Sequence, residues 1–260
     1  VNDRQIALEP FRTHYIAHRG LFDNTSDHPE NTLPAFQRAV DAGFGVELDV
    51  HLTKDDQLVV THDDDLLRIC GENVLVRDLT YAELQQRHIL ASQQTIPLFT
   101  DVLAVLDGKV PLVVEIKDAP RLQETCRRTD KVMRSYNGPY CVESFNPKAL
   151  LWYRKNNPDV PLGQLSDDFA DDPGAGSRVV NWALTNMLLN AWTRPDFIAY
   201  RWPLAHRLSL RFWHRVLGCT MVAWTIQSPG QLAVASRYYD VLIFDSFVPT
   251  QTGPADDGAR

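Results

Sequence analysis

Cysteine is scarce, with four residues (Cys70, Cys126, Cys141 and Cys219) in 260 and no C-x-x-C spacing among them. That excludes a cysteine-based zinc site and a disulfide scaffold, and leaves reduced, mostly buried thiols as the expectation. No glycine-rich loop of the G-x-G-x-x-G type follows any apolar run, which counts against a dinucleotide-binding sheet. Positive charge is in deficit, with 26 Lys+Arg against 33 Asp+Glu and a net charge of −7. No Lys/Arg cluster is dense enough to offset it, so nucleic acid is not expected as a partner. A membrane-crossing segment is also missing. The longest charge-free run, Val216 to Ser236, contains Gln227-Ser228-Pro229-Gly230-Gln231, which breaks a helix and would leave polar groups in lipid. No apolar signal core follows Val1, so the expected compartment is the cytoplasm, with a removed leader as the alternative.

What is present is a globular composition, 44% hydrophobic, and an alternation of short apolar runs with amphipathic stretches. Eight strands are expected, at Tyr15–Ala17, Phe44–Leu52, Val110–Ile116, Tyr140–Val142, Pro161–Gln164, Phe197–Tyr200, Cys219–Trp224 and Val241–Phe244. An extra strand, Gln57–Thr61, falls after the second of them. Helical patterns are read at Leu33–Ala42, Tyr81–His88, Thr100–Leu106, Arg121–Ser135, Pro147–Lys155, Val179–Ala191, Leu208–Val216 and Gly230–Tyr238. Repeated strand–helix units over this length suggest a (β/α)8 barrel or a doubly wound sheet. Polar residues gather at the C-terminal ends of several different strands, where barrel active sites are built, and that favours the TIM barrel. The expected organisation is one α/β domain over residues 1–248, with a small insertion over about 52–98, and a disordered tail over 249–260.

The segment Val46-Glu47-Leu48-Asp49-Val50-His51 alternates with period two, putting Glu47, Asp49 and His51 on one face. Two carboxylates facing a barrel interior repel unless a cation or a shared proton offsets them, and a hard divalent ion on oxygen ligands is the usual solution. An edge strand with a solvated acidic face is the other reading of this segment. Glu115 and Lys117 end a second apolar strand on a common face, adding a third carboxylate and a cation. Lys117 could neutralise an anionic oxygen or simply pair with Glu115 or Glu47. His18 and Arg19 end the first strand, and His62 follows Leu58-Val59-Val60-Thr61. An arginine can grip two phosphate oxygens, and two imidazoles near neutrality can deprotonate a nucleophile and protonate a leaving alkoxide.

In order along the chain, His18-Arg19-Gly20, Pro29-Glu30-Asn31-Thr32, Glu47-Leu48-Asp49, His62-Asp63, Ile96-Pro97-Leu98-Phe99, Glu115-Ile116-Lys117, Ser144-Phe145-Asn146-Pro147, Pro195-Asp196-Phe197-Ile198 and Val222-Ala223-Trp224-Thr225 resemble the glycerophosphodiester phosphodiesterase family. The resemblance covers nearly the whole chain. It implies a TIM barrel with an insertion after the second strand, and metal-assisted hydrolysis of phosphodiesters in lipid and glycerol metabolism. It implies Glu47, Asp49 and Glu115 as metal ligands, His18 and His62 as the acid–base pair, and Arg19 and Lys117 on the phosphate. It also implies Trp224 in the pocket wall, although a core role suits that tryptophan too, and Glu30 orienting its neighbours. The expected cofactor is a divalent metal, Ca2+, Mg2+ or Mn2+, and the expected substrate is a small-molecule phosphodiester. A lysophospholipase D activity, with an apolar groove near Trp182, Met187, Leu188, Trp192 and Trp202, is the nearest alternative. A catalytically silent phosphate- or protein-binding barrel is the other. Gln227 and Asp56 depart from the family's common residues, the first a possible change in pocket polarity and the second a turn. His51 is read as supporting or structural, and Glu143 is left unassigned.

Overall fold

The structure is a computed structural model that describes residues 3–117, 120–168, 182, 185–204 and 207–254. Eight parallel strands close on themselves: β1 (Ile16–His18), β2 (Gly45–Leu52), β6 (Leu112–Ile116), β7 (Tyr140–Ser144), β8 (Leu162–Ser166), β9 (Phe197–Arg201), β10 (Thr220–Ile226) and β11 (Val241–Phe244). Pairing runs in that order around the ring, and β1 meets both β11 and β2 to complete it. All eight expected barrel strands are there. The extra strand is β3 (Leu58–Val60), which runs antiparallel to β2, so β2 is a central strand and the edge-strand reading of its carboxylates does not hold.

Two other strands were not legible, the short hairpin β4 (Asp65–Leu66) and β5 (Glu72–Leu75). With β3 they belong to the insertion, which packs its own small core from Val59, Leu66, Ile69, Val76, Leu79, Leu84, Ile89 and Ile96. Six helices reach seven residues among the described elements: α1 (Leu33–Asp41), α2 (Phe99–Leu106), α3 (Leu122–Met133), α4 (Pro147–Asn156), α5 (Leu208–Arg215) and α6 (Pro229–Ala235). The helix expected from Tyr81 stops at Leu84. It starts on a capping box, with Thr80 and Glu83 satisfying each other's backbone N–H groups. Of the helix expected over Val179–Ala191, residues 179–181, 183 and 184 lie outside the described part; residues 186–189 form turns that lead into a single helical turn, Asn190–Thr193.

Both faces of a barrel strand are covered, and all eight residues of β2 are buried. Val46, Leu48 and Val50 point outward into the core beneath the helices, beside Phe36 and Val114. The inward positions change character along the strands. At their start Ile16, Val113, Cys141, Phe197, Val222 and Val241 form an apolar floor, closed from below by Leu8 and by Phe11 of the helical turn Glu9–Arg12. Gly163 makes room in this layer: a Cβ there would stand 2.0 Å from the Phe197 ring. Farther up, on β1, β2, β6 and β7, come His18, Glu47, Asp49, Glu115 and Glu143. Of the expected tail, residues 255–260 lie outside the described part. Thr252 is tied down, its carbonyl accepting the Tyr15 N–H at 2.7 Å.

Candidate active site

The register of β2 against β6 sets Asp49 beside Glu115, and that of β1 against β2 sets His18 beside Glu47. Glu47, Asp49 and Glu115 each offer a carboxylate oxygen within 4.8 Å of the others. Glu143 stands next in register to Glu115, buried, with Oε2 lacking any hydrogen-bond partner. Lys117 Nζ lies 3.1 Å from Asp49 Oδ1 and 2.9 Å from Glu115 Oε1. Its salt bridge therefore joins two carboxylates, one of them not foreseen. Asn31 Nδ2 donates to Asp49 Oδ2 at 3.1 Å.

Arg19 has φ 57°, and this left-handed turn lets one residue serve both sides of the site. Its backbone N–H donates to Glu47 Oε2 at 3.2 Å, while Nη1 donates to Glu30 Oε1 at 2.8 Å and Nε lies 3.8 Å from Asp49. Glu30 also receives both terminal nitrogens of Arg68, at 2.8 and 2.7 Å. Burial opposes ionisation of Glu30, but Arg68 and Arg19 together draw its carboxyl down to about 2. Arg68 was not foreseen: it sits in a single helical turn of the insertion, Leu67–Cys70, and ends no strand.

The two histidines have matching supports. His18 Nδ1 is 2.9 Å from Asp245 Oδ2, and His62 Nδ1 is 2.6 Å from Asp63 Oδ1. Asp63 is held in turn by Arg68 Nε at 2.6 Å, and Asp245 by Gln227 Nε2 at 3.1 Å. Gln227, the departure from the family pattern, thus touches the group that orients His18. Asp56, the other departure, has φ 67° and pairs with Arg121 and Arg128 on the surface. His51 is buried under the site, its Nε2 3.2 Å from the His62 carbonyl oxygen, in keeping with a supporting place. His18 Nε2 lies 3.9 Å from Glu47.

An open cleft of about 640 Å³ gives access, with His62, Asp63, Arg68, Glu115, Lys117 and Phe145 among its walls. Trp224 is not one of those walls. It meets Phe145 edge to face at 5.8 Å, and its indole N–H is buried without a partner. Of the residues expected in an apolar groove, Met187 is core and Trp202 packs against the core, whereas Trp182, Leu188 and Trp192 are exposed.

Charge balance tests whether a cation suits this site. Glu47, Asp49, Glu115 and Glu143 are buried together against Lys117 and one side of Arg19. Fully ionised, they would leave two negative charges uncompensated, which the interior tolerates only with protons or a divalent ion. Burial and the neighbouring carboxylates raise Glu47 well above the usual range, and burial raises Glu115 to about 7. Asp49, although buried, is held low by Lys117. The residues therefore fit a hard cation with oxygen ligands.

A pH dependence follows. A carboxyl raised from 4.5 to about 7 costs the metal-free fold stability as pH climbs through that window, and it must lose its proton before it can ligate. Divalent-metal affinity is expected to rise between about pH 6 and about pH 8, with about two protons released per ion at the lower pH, one from Glu115 and one from Glu47. Titration calorimetry in two buffers of different ionisation enthalpy reads this. Proton release that is equal and near zero at both pH values would contradict it.

A TIM barrel whose strand ends carry buried carboxylates, two carboxylate-supported histidines and flanking cations belongs to the class of barrels equipped for phosphate-ester chemistry. Residues 18–243 match the model of the glycerophosphoryl diester phosphodiesterase family, and the chain belongs to that family. It is accordingly a phosphoric diester hydrolase. A glycerophosphodiester phosphodiesterase of Bacillus altitudinis is 33% identical over 174 residues, which cover 62% of this chain and 69% of the relative. Human lysophospholipase D GDPD1 is 48% identical over 167 residues, 58% of this chain, which spans only 51% of that protein. Among solved structures, an Oleispira antarctica phosphodiesterase in complex with the product sn-glycerol-3-phosphate superposes with TM-score 0.74 at 24% identity. That alignment covers 90% of this chain and 93% of the other.

Proposed function

We propose that this enzyme hydrolyses glycerophosphodiesters to glycerol 3-phosphate and an alcohol, using a divalent metal and two histidines. The observation that carries the reading is the pair His18 and His62, each with Nδ1 on a carboxylate, beside one cluster of buried carboxylates. With Asp245 and Asp63 ionised, each Nδ1 keeps its hydrogen and each Nε2 is left to accept a proton. One histidine takes the proton of the glycerol hydroxyl next to the phosphate, and that oxygen bonds to phosphorus as the bond to the alcohol breaks. The other histidine, protonated, gives its proton to the departing alkoxide. Water then opens the cyclic phosphate with the two roles exchanged; direct attack by water uses the same two groups without the ring.

Arg19 and Lys117 bind the non-bridging oxygens, and their ties to Glu30, Asp49 and Glu115 fix where those oxygens can sit. Glu47, Asp49 and Glu115 would hold Ca2+, Mg2+ or Mn2+, all suited to carboxylate oxygens. Such an ion, when bound, supplies charge neutralisation for the phosphodiester. The bound sn-glycerol-3-phosphate in the Oleispira antarctica relative supports the choice of product.

The test is hydrolysis of glycerophosphocholine followed by 31P NMR. Release of glycerol 3-phosphate is expected with added divalent metal, abolished by EDTA and restored by excess metal. Full turnover in EDTA would remove the metal from the reading, and phosphocholine as product would overturn the cleavage site. Identity to human lysophospholipase D GDPD1 favours a second reading, hydrolysis of the lysolipid counterpart. Faster turnover of lysophosphatidylcholine than of glycerophosphocholine would select it.

A further inference from the structure

The outer wall of the barrel carries a feature that phosphodiester hydrolysis leaves unexplained. α5 joins the mouth end of β9 to the opposite end of β10, so it lies along the height of the barrel. Its only buried residue is Leu210. Leu208, Arg211, Phe212, Arg215 and then Val216 follow at spacings of three, one, three and one, which places them on one outward face. A helix over a barrel ordinarily turns polar residues to solvent. Here Leu208 is 80% exposed, Phe212 52% and Val216 65%, with arginines between them.

Beside this stripe lies a cavity of about 330 Å³ between α5 and the residues that follow α6, with Arg211, His214, Arg215, Arg237 and Tyr238 among its walls. None of the three arginines has an ion-pair partner among the described residues. The nearby carboxylate, Asp240, accepts the Met221 N–H at 2.8 Å and lies 3.7 Å from His214 Nδ1. The surrounding sequence is just as one-sided. Residues 182–239 hold six arginines and a single carboxylate, Asp196, in a chain whose net charge is −7. That carboxylate is spent internally, on Arg4 at 2.9 Å and Arg154 at 2.7 Å.

We propose that this wall docks on a membrane bearing anionic phospholipids. Arg211, Arg215 and Arg237 take a headgroup phosphate in the cavity, and Leu208, Phe212 and Val216 enter the boundary between headgroups and acyl chains. Interleaved arginines and large apolar side chains on one helix face suit an interface that is anionic outside and apolar beneath. A nucleic-acid backbone would meet the arginines but find no use for the exposed Leu and Phe. Docking is independent of the hydrolytic reading, and a membrane along this wall lies beside the mouth and does not cover it.

The test is co-sedimentation of the full chain with phosphatidylcholine vesicles, with and without phosphatidylserine. Wild type is expected to bind only the serine-containing vesicles and to be released by salt. The double substitution Arg211→Glu/Arg215→Glu should weaken binding by about 25-fold, from about 5-fold for each arginine near an anionic surface. Phe212→Ser and Arg237→Glu should each weaken it by about 5-fold or more. Circular dichroism and unchanged hydrolysis of a soluble phosphodiester would show the variants folded. Equal binding to neutral vesicles, no binding by wild type, or unaltered binding by both Arg211→Glu/Arg215→Glu and Phe212→Ser would overturn the proposal. So would preferential capture of duplex DNA, or self-association through the same residues in place of vesicle binding.

Discussion

Replacing His62 with alanine is expected to lower kcat on glycerophosphocholine by about 10²- to 10⁴-fold, the usual scale for a proton-transfer group, with little change in KM. His62 reaches the site because the Thr61 N–H donates to the Asp49 carbonyl at 3.1 Å, and Asp63 then fixes its ring. Burial lowers its pKa, although Asp49 pulls the other way. At saturating metal the ionisation of His62 should therefore lie below the ordinary histidine value, setting the acid limb of kcat/KM where it acts as the base and the alkaline limb where it acts as the acid. His18→Ala should lose rate on the same scale. The double variant should lose much less than the product of the two effects, because both histidines serve one reaction. Single variants that both turn over at the wild-type rate would end the two-histidine assignment.

Asp49→Asn should be nearly as damaging, by another route. Asp49 is the common anchor of the site, facing Lys117, Asn31 and Arg19 at once. An amide there removes one ligand charge and turns an NH2 group toward donors that need an acceptor. Divalent-metal affinity is expected to fall by at least about 100-fold and turnover with it, with partial recovery at high metal concentration. Titration calorimetry reads the affinity directly. Metal binding equal to wild type would remove Asp49 from the ligand set.

The barrel strands were legible because each is a short β-branched or apolar run, and several end in a charged residue. Val110 to Lys117 in the barrel is a clear example, as is Leu58 to His62 in the insertion, and the strand-end position makes their charges chemically informative. The period-two pattern of Glu47, Asp49 and His51 gave the inward face correctly, since a one-residue shift would have buried Val46, Leu48 and Val50 in its place. The hairpin of β4 and β5 was not legible because two-residue and largely exposed strands carry no such pattern. The supports of the histidines divide in the same way. Asp63 adjoins His62, so its role could be suspected, but Asp245 meets His18 across 227 positions and only ring closure brings them together. Arg68 bridges Glu30 and Asp63 from the insertion, a juxtaposition set by tertiary packing alone. Trp224 was legible as aromatic and near the site, but not that Phe145, and not Trp224 itself, would face the cleft.

The insertion's separate core has a consequence for how such an enzyme can change. His18 stands on the barrel, while His62, Asp63 and Arg68 belong to the insertion that packs around Leu66, Ile69 and Leu84. The acid and the base are therefore mounted on the barrel and on an insertion with a core of its own, which are joined by the β2–β3 pairing, by the Thr61 N–H to the Asp49 carbonyl and by the Arg68–Glu30 bridge. Remodelling the smaller body would alter the distance between the proton-handling groups, and so the size of leaving group that fits between them, without moving any of the three carboxylates on the barrel strands. Selection on substrate size could act on one module while the other stayed fixed.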